Sequence, residues 1–353
     1  MSGTSLDGID VAAIVTDGQD YVAAGPGMTL EYPADFRERL RGVLGGVGDV
    51  AAVEAELTRL HADAVAAFRR SYPETSVELV GFHGHTILHR PEQRRTWQIG
   101  DGALLAPLVG VDVVADFRSA DVAAGGQGAP LAPLYHAALA AALEKPVAVL
   151  NLGGVGNVTW IGAGIDQIIA FDTGPGNALI DDWVRRHTGQ AADFDGMLAL
   201  SGEVSEPCVA RFLAATYFDR KPPKSLDRDD FQAFLPAGLS VADGAATLTE
   251  ITAATVQASL RHLPRPPRQW LVCGGGRRNP AIMAALARRL GAPVRPVEAI
   301  GWDGDALEAQ AFAYLAVRSV RDLPLSLPST TGAPRPMCGG RLFQAPLASS
   351  TAR

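Results

Sequence analysis

The feature that most constrains the fold is where the glycines fall. The chain holds 38 glycines in 353 residues, and they gather at the ends of short β-branched apolar runs. Residues 77–82, 111–117, 147–152, 168–171 and 270–273 have the length and composition of buried strands. Between them, apolar residues recur at helical spacing in 51–71, 178–187, 248–262, 280–290 and 306–320. Two stretches read as hairpins instead, 9–23 and 152–161, the second turning at Gly153-Gly154. Strands that alternate with helices and are interrupted by hairpins predict an α/β protein with mixed sheets flanked by helices. The proline-rich pieces 221–223 and 264–267 read as loops, and 324–336 as a crossing segment.

Size and charge narrow the function. A chain of this length implies about two domains, and 47% hydrophobic with 20% charged residues is a globular balance. No apolar run reaches the roughly 18 residues of a membrane span, and no leader peptide opens the sequence. Cys208, Cys273 and Cys338 share no metal-type spacing, so free thiols in the cytoplasm are expected. A formal charge of −7 disfavours nucleic acid as a partner. A nucleotide remains compatible, because backbone N–H groups in glycine loops supply local positive potential.

Three glycine loops invite such a reading. Gly3, Thr4, Ser5, Leu6, Asp7 and Gly8 lead into an apolar run that starts at Ile9. Their N–H groups could hold phosphate oxygens, with Mg²⁺ near Asp7; an ordinary hairpin turn with a solvated Asp7 accounts for the same residues. Asp172, Thr173, Gly174, Pro175, Gly176 and Asn177 join a strand to a helix start, where an anion is favoured. A plain connection capped by Asn177 is equally open. Gly274, Gly275 and Gly276 follow the strand at 270–273, and the backbone entropy they cost implies a close approach, by a flat ligand or by crowded packing. Gly125-Gly126-Gln127-Gly128 reads as a hinge or a ligand-touching loop.

Carboxylates mark where chemistry could sit. On a helical wheel Ile180, Trp183, Val184 and His187 form the apolar stripe of 178–187. Asp181 borders that stripe, whereas Asp182 points away and suits a surface pair with Arg186. Glu308 falls among apolar neighbours such as Phe312 and Leu315, where a carboxylate is usually paired or functional. Asp116-Phe117-Arg118 and His83-Gly84-His85 each follow a strand, the usual ligand end of an α/β sheet. The spacing of His83, His85 and His89 lacks a second ligand cluster and reads as packing rather than metal binding.

The order of these loops resembles the anhydro-N-acetylmuramic acid kinase family. The matching pieces are Met1 to Asp10, Gln98-Ile99-Gly100-Asp101, 114–118, 125–131, Asn151-Leu152-Gly153-Gly154, 171–179, Pro222-Pro223-Lys224-Ser225 and 272–280. The resemblance implies two ribonuclease-H-like, actin-like ATPase domains with the active-site cleft between them. Their boundaries are expected at 1–130 plus 326–345 and at 131–325. It implies phosphate binding by Gly3, Thr4, Ser5, Leu6, Asp7, Gly8, Ile9 and Asp10, and by Asp172, Thr173, Gly174, Gly176 and Asn177. It implies adenosine contact by Gly274, Gly275 and Gly276, sugar contact by Asp116, Arg118 and Glu308, and Asp181 as general base. ATP and Mg²⁺ are the implied cofactors, Mg²⁺ near Asp7 and Asp172, and an anhydrosugar the partner; a homodimer is compatible. The family's pattern also implies a strand ahead of Met1-Ser2-Gly3, and a glutamine where His85 stands.

Overall fold

The computed structural model describes residues 1–3, 6–227 and 230–346, the Asp166 side chain excepted. Two compact units divide the chain: residues 1–141 with 305–353, and residues 142–304.

The first unit opens with an antiparallel hairpin, β1 (Gly8–Thr16) and β2 (Val22–Glu31). The helix Val50–Ser71 follows, capped by the Asp49 carboxylate, which accepts from Ala52 N–H at 3.1 Å. Its Val53, Leu57, His61, Ala64 and Phe68 recur every three or four residues on one buried face, with Val53, Leu57, Ala64 and Val65 in the core. β3 (Leu79–Gly81) and β6 (Asp112–Ala115) run parallel, and between them in sequence lies a second hairpin, β4 (His85–Arg90) and β5 (Arg95–Ile99). Sequence periodicity misses that hairpin, because each strand gives the core a single residue, Ile87 and Ile99, too few to set up an apolar alternation.

The second unit holds one mixed sheet: β7 (Val147–Leu152), β8 (Val155–Ile161), β9 (Ile168–Pro175), β10 (Gln269–Cys273) and β11 (Val294–Pro296), ordered β11-β10-β7-β8-β9. β7 to β9 form an antiparallel meander and β10 and β11 add in parallel. β9 therefore runs parallel to β7, and the carboxyl ends of β7, β9 and β10 share one edge. A core of Trp160, Phe171, Trp183, Leu248, Trp270 and Leu286 closes around the helix Val241–Ser259.

The chain then returns to the first unit through the helix Leu307–Val320 and β12 (Arg341–Phe343), which pairs antiparallel with β6. The units therefore divide elsewhere than the sequence boundaries at 130 and 326. Both the helix Pro133–Leu139 and the helix Leu307–Val320 belong to the first unit, where Tyr135 Oη donates to Gln310 Oε1 at 2.7 Å. Glycine is decisive at one crossing: a Cβ on Gly81 would meet the Phe312 carbonyl oxygen at 2.3 Å, so β3 lies directly against that helix.

Candidate functional site

In the second unit three loops meet at the shared carboxyl edge. Asn177 N–H donates to the Gly153 carbonyl at 2.7 Å, and its amide donates to the Leu152 and Gly153 carbonyls at 2.9 and 3.1 Å. Asn177 thus ties the loop at 153–154 to the helix start and makes no side-chain cap, contrary to the plain-connection reading. A Cβ on Gly176 would meet the Gly153 carbonyl oxygen at 2.2 Å, and one on Gly274 would meet Asn151 Oδ1 at 2.3 Å. These close approaches explain the glycines before any ligand is invoked. Gly275 differs: its nearest Cβ neighbour would be Asn177 Nδ2 at 3.6 Å, an ordinary contact. Arg277, which sequence reading missed, is buried beside this loop, donating from Nη1 to the Gly274 carbonyl at 2.9 Å and from Nε to Glu298 at 2.6 Å.

β9 runs past the end expected at 171 to Pro175, so Asp172 lies within it and is held from the side. Tyr217 Oη donates to the Asp172 carbonyl at 2.6 Å, Asp172 N–H to the Lys224 carbonyl at 3.1 Å, and Leu226 N–H to Asp172 Oδ2 at 2.8 Å. Burial pushes the Asp172 carboxyl up to about 7, against the lowering effect of the Leu226 bond. Lys224 is buried, with Nζ donating to the Tyr217 carbonyl at 3.1 Å and lying 4.5 Å over the Tyr217 ring; burial pulls it down to about 8. The Thr173 hydroxyl is turned inward, donating to the Gly156 carbonyl at 3.1 Å. The expected phosphate contact of Thr173 therefore does not come from its side chain.

The helix Ala178–Thr188 starts here and ends at Gly189, in the left-handed region at φ 77°. Ile180, Trp183 and Val184 are buried as the wheel predicts, and Asp181 stands half-buried in the first turn. Asp182 is not solvated: its side chain is 14% exposed, 3.5 Å from Arg185 and accepting from Gln232 Nε2 at 3.1 Å. The partner is i+3, in place of the expected Arg186, because the segment carrying Gln232 covers that face.

In the first unit residues 1–2 pair antiparallel with residues 9–10. Asp10 N–H donates to the Met1 carbonyl at 2.9 Å, the Met1 amine donates to the Asp10 carbonyl at 2.8 Å, and Ser2 bridges Ile9. Thr4 and Ser5 lie outside the described residues. Leu6 and Ile9 are core residues, so any phosphate contact they make comes from their backbone. Asp7 is exposed; Asp10 accepts from Thr29 Oγ1 at 2.7 Å. Burial raises the Asp10 carboxyl, with further upward pushes from the charges of Asp7 and Asp305.

At the carboxyl end of β6, Asp116 takes a left-handed φ of 58°, a conformation Asp tolerates better than most residues. That kink buries Phe117 against Phe312, at 5.3 Å between rings, and turns Arg118 back toward β3. Arg118 Nε donates to His83 Nε2 at 3.0 Å and Nη1 donates to the Gly128 carbonyl at 2.7 Å. An arginine can only donate, so His83 Nε2 is unprotonated and Nδ1–H donates to the Gly84 carbonyl at 3.0 Å. Burial, then the Arg118 charge, hold His83 well below its ordinary pKa. Glu308 is solvent-accessible at the first turn of its helix, contrary to the apolar setting expected for it. The protein around it raises its carboxyl above the ordinary range, with the Arg118 charge acting in the opposite direction. His85 is buried and 3.0 Å from Ser2 Oγ, and His89 bonds Thr96, so the three histidines serve separate structural ends.

Mg²⁺ carried with a nucleotide needs only one or two protein carboxylates. Exposed Asp7 and half-buried Asp10, three residues apart at the start of β1, are carboxylates that would serve such an ion. Asp10 and Asp172 each already accept one hydrogen bond, from Thr29 and Leu226, and each keeps a second carboxylate oxygen. Among the described residues no three His, Cys, Asp or Glu side chains form a metal cage.

This is a two-unit α/β protein whose glycine loops and polar side chains collect at strand carboxyl ends, the layout of a nucleotide-dependent enzyme. The sequence profile of the family described as "Anhydro-N-acetylmuramic acid kinase" matches residues 1–345. A protein of that name from Paramagnetospirillum magneticum is 60% identical over 346 residues, 97% of each chain; another from Rhodospirillum rubrum is 57% identical, covering 98% of this chain and 93% of its own. A solved ROK family glucokinase from Streptomyces griseus, in complex with glucose and AMPPNP, is 15% identical with a TM-score of 0.39, over 87% of this chain and 96% of its own. The chain belongs to the anhydro-N-acetylmuramic acid kinase family.

Proposed function

We propose that the protein uses ATP and water to convert 1,6-anhydro-N-acetylmuramic acid into N-acetylmuramic acid 6-phosphate, a cytoplasmic step of cell-wall recycling. The observation that carries this reading is the family match along residues 1–345, which includes every glycine loop described above. The reaction has two coupled halves. Asp181 takes a proton from water as the water oxygen bonds to the anomeric carbon. The bond from that carbon to the anhydro oxygen breaks, and the freed O6 attacks the γ-phosphorus while the bond to ADP breaks. Asp181 suits the first half by its place in the first helical turn, directly after residues 172–177. Arg118, held by His83 and Gly128, presents a fixed cation for the sugar's carboxylate, with Asp116 and Glu308 beside it. Phosphates are assigned to the turn at 3–8 and to the end of β9, where the Asp172, Gly176 and Asn177 N–H groups already serve the Lys224, Gly154 and Gly153 carbonyls; Gly274 to Gly276 offer a flat surface for adenosine. Mg²⁺ held at Asp7 and Asp10 would neutralise phosphate charge.

ADP release over a panel of anhydrosugars tests the reading. Turnover is expected with 1,6-anhydro-N-acetylmuramic acid and little with N-acetylmuramic acid or glucose; equal turnover of glucose would sink it. Preference for levoglucosan would move the substrate while keeping the chemistry. Asp181→Asn should lower kcat about 10²–10⁴-fold with sugar affinity retained. Asp182→Asn keeps an acceptor for Gln232 and should change kcat less than about threefold.

A further inference from the structure

Asp121 lies three residues beyond Arg118 in the short helix Ser119–Ala123 and is 2% exposed, so no substrate reaches it. Its carboxylate is nevertheless fully engaged. Oδ1 accepts from Gly128 N–H at 2.7 Å; Oδ2 accepts from Ser326 Oγ and from Thr331 Oγ1, the latter at 2.6 Å. The backbone completes the junction, Gly126 N–H donating to the Asp121 carbonyl at 2.9 Å and Gln127 N–H to the Thr331 carbonyl at 2.6 Å. One buried carboxylate thus joins the helix after β6 and the glycine loop that follows it at 125–128 to the crossing segment at 326–331, some 200 residues away.

The link to the sugar site runs through one residue. Gly128 N–H is held by Asp121, and the Gly128 carbonyl accepts from Arg118 Nη1. Gly128 itself sits at φ 66°, and a Cβ there would meet Val122 Cγ2 at 2.4 Å, so no other residue places that carbonyl in the same spot. Gly126 has the same constraint toward the carboxylate, since its Cβ would stand 2.1 Å from Asp121 Oδ1. His83 fixes the guanidinium from the other side.

We propose that Asp121 is a positioning residue for sugar binding: it orients Arg118 by holding Gly128, and anchors that loop to 326–331. The proposal rests on the reading that Arg118 contacts the sugar. A carboxylate accepts from all three groups at once; an amide in its place keeps one acceptor, so either Gly128 N–H loses its partner or the Ser326 and Thr331 hydroxyls must turn their protons elsewhere. The geometry also predicts which constant moves. Among the described residues the hydrogen-bond partners of Asp121 outside its own helix are Gly126, Gly128, Ser326 and Thr331, none of them in the phosphate or adenosine loops, so sugar affinity should change while ATP affinity does not.

Steady-state kinetics with separate sugar and ATP titrations, together with thermal melts, test this on Asp121→Asn, Gly126→Ala and Arg118→Lys. Asp121→Asn should raise the sugar KM about tenfold and leave the ATP KM within about twofold. Gly126→Ala, which pushes against the carboxylate, should reproduce that pattern, and it carries the test if Asp121→Asn does not fold. A folded Asp121→Asn with an unchanged sugar KM, beside an Arg118→Lys whose sugar KM rises, overturns the positioning role. Parallel rises in both KM values with a lowered Tm overturn it too, since they report only lost stability. An unchanged sugar KM in Arg118→Lys would instead remove the underlying reading of Arg118.

Discussion

At Asp172, near the end of β9, a glycine loop and a buried lysine's segment meet, and the balance there is visible as a function of pH. Burial raises its carboxyl to about 7, so the folded state holds a proton that the unfolded chain releases at the ordinary carboxylate pKa. The stabilisation this provides is complete below that ordinary value and is lost as pH rises through about 7. Lys224, lowered to about 8 by burial, contributes in the opposite sense, losing stabilisation as pH falls through about 8, but it is common to parent and variant. Melts of ligand-free Asp172→Asn and parent, from about pH 4 to about pH 8, should therefore diverge in favour of the variant by about 2–4 °C. Asn keeps an acceptor for Leu226, so a difference constant with pH would mean that Asp172 stays ionised throughout.

Among elements, the loop after β10 separates packing from ligand contact. Gly274 and Gly276 are demanded by the fold, a Cβ on the latter meeting Leu152 Cβ at 2.6 Å, whereas Gly275 has room for a side chain. Gly275→Val should lower ATP affinity at least about tenfold with Tm unchanged. Gly276→Ala should lower Tm first. Equal ATP affinity in a folded Gly275→Val protein would move adenosine off this loop. The first strand poses a different question. β1 pairs with β2 along one edge, and along the other, among the described residues, its strand contact is the Ser2–Ile9 bridge. A cavity of about 560 Å³ lies between β1 and β3, with Met1 in its lining and Val11, Val15, Val80 and Val317 on its walls. Met1 and Ser2 already run antiparallel to β1, so a segment fused ahead of Met1 would continue along Val11 to Thr16. About six apolar, β-branched residues placed there should fill the cavity, pair both strand edges and raise Tm. A Tm that does not rise would show that the cavity does not admit a strand.

For the whole molecule, the second unit is one continuous stretch with its own five-stranded sheet and core, while the first is assembled from both ends of the chain. Residues 142–304 expressed alone should give a cooperative melt and native-like circular dichroism; a non-cooperative melt would mean that this core needs the rest of the chain. The same division explains what was legible in advance. Apolar periodicity and glycine punctuation are local, and they determined the α/β class, β7 and the helices Ala178–Thr188 and Pro280–Leu290 to within a residue or two, whereas the strand expected at 168–171 runs on to Pro175. The order of motifs added the family. Tertiary structure alone decided which glycines answer to packing, that Thr173 turns inward, that Gln232 covers Asp182, and that the helix Leu307–Val320 belongs with the N-terminal residues. It also brought Asp121 to Ser326 and Thr331, some 200 residues apart in sequence. The physical reason is the same in each case. Periodicity records which face of an element is apolar, whereas a polar side chain's role depends on the donor or acceptor that packing brings to it from elsewhere in the chain.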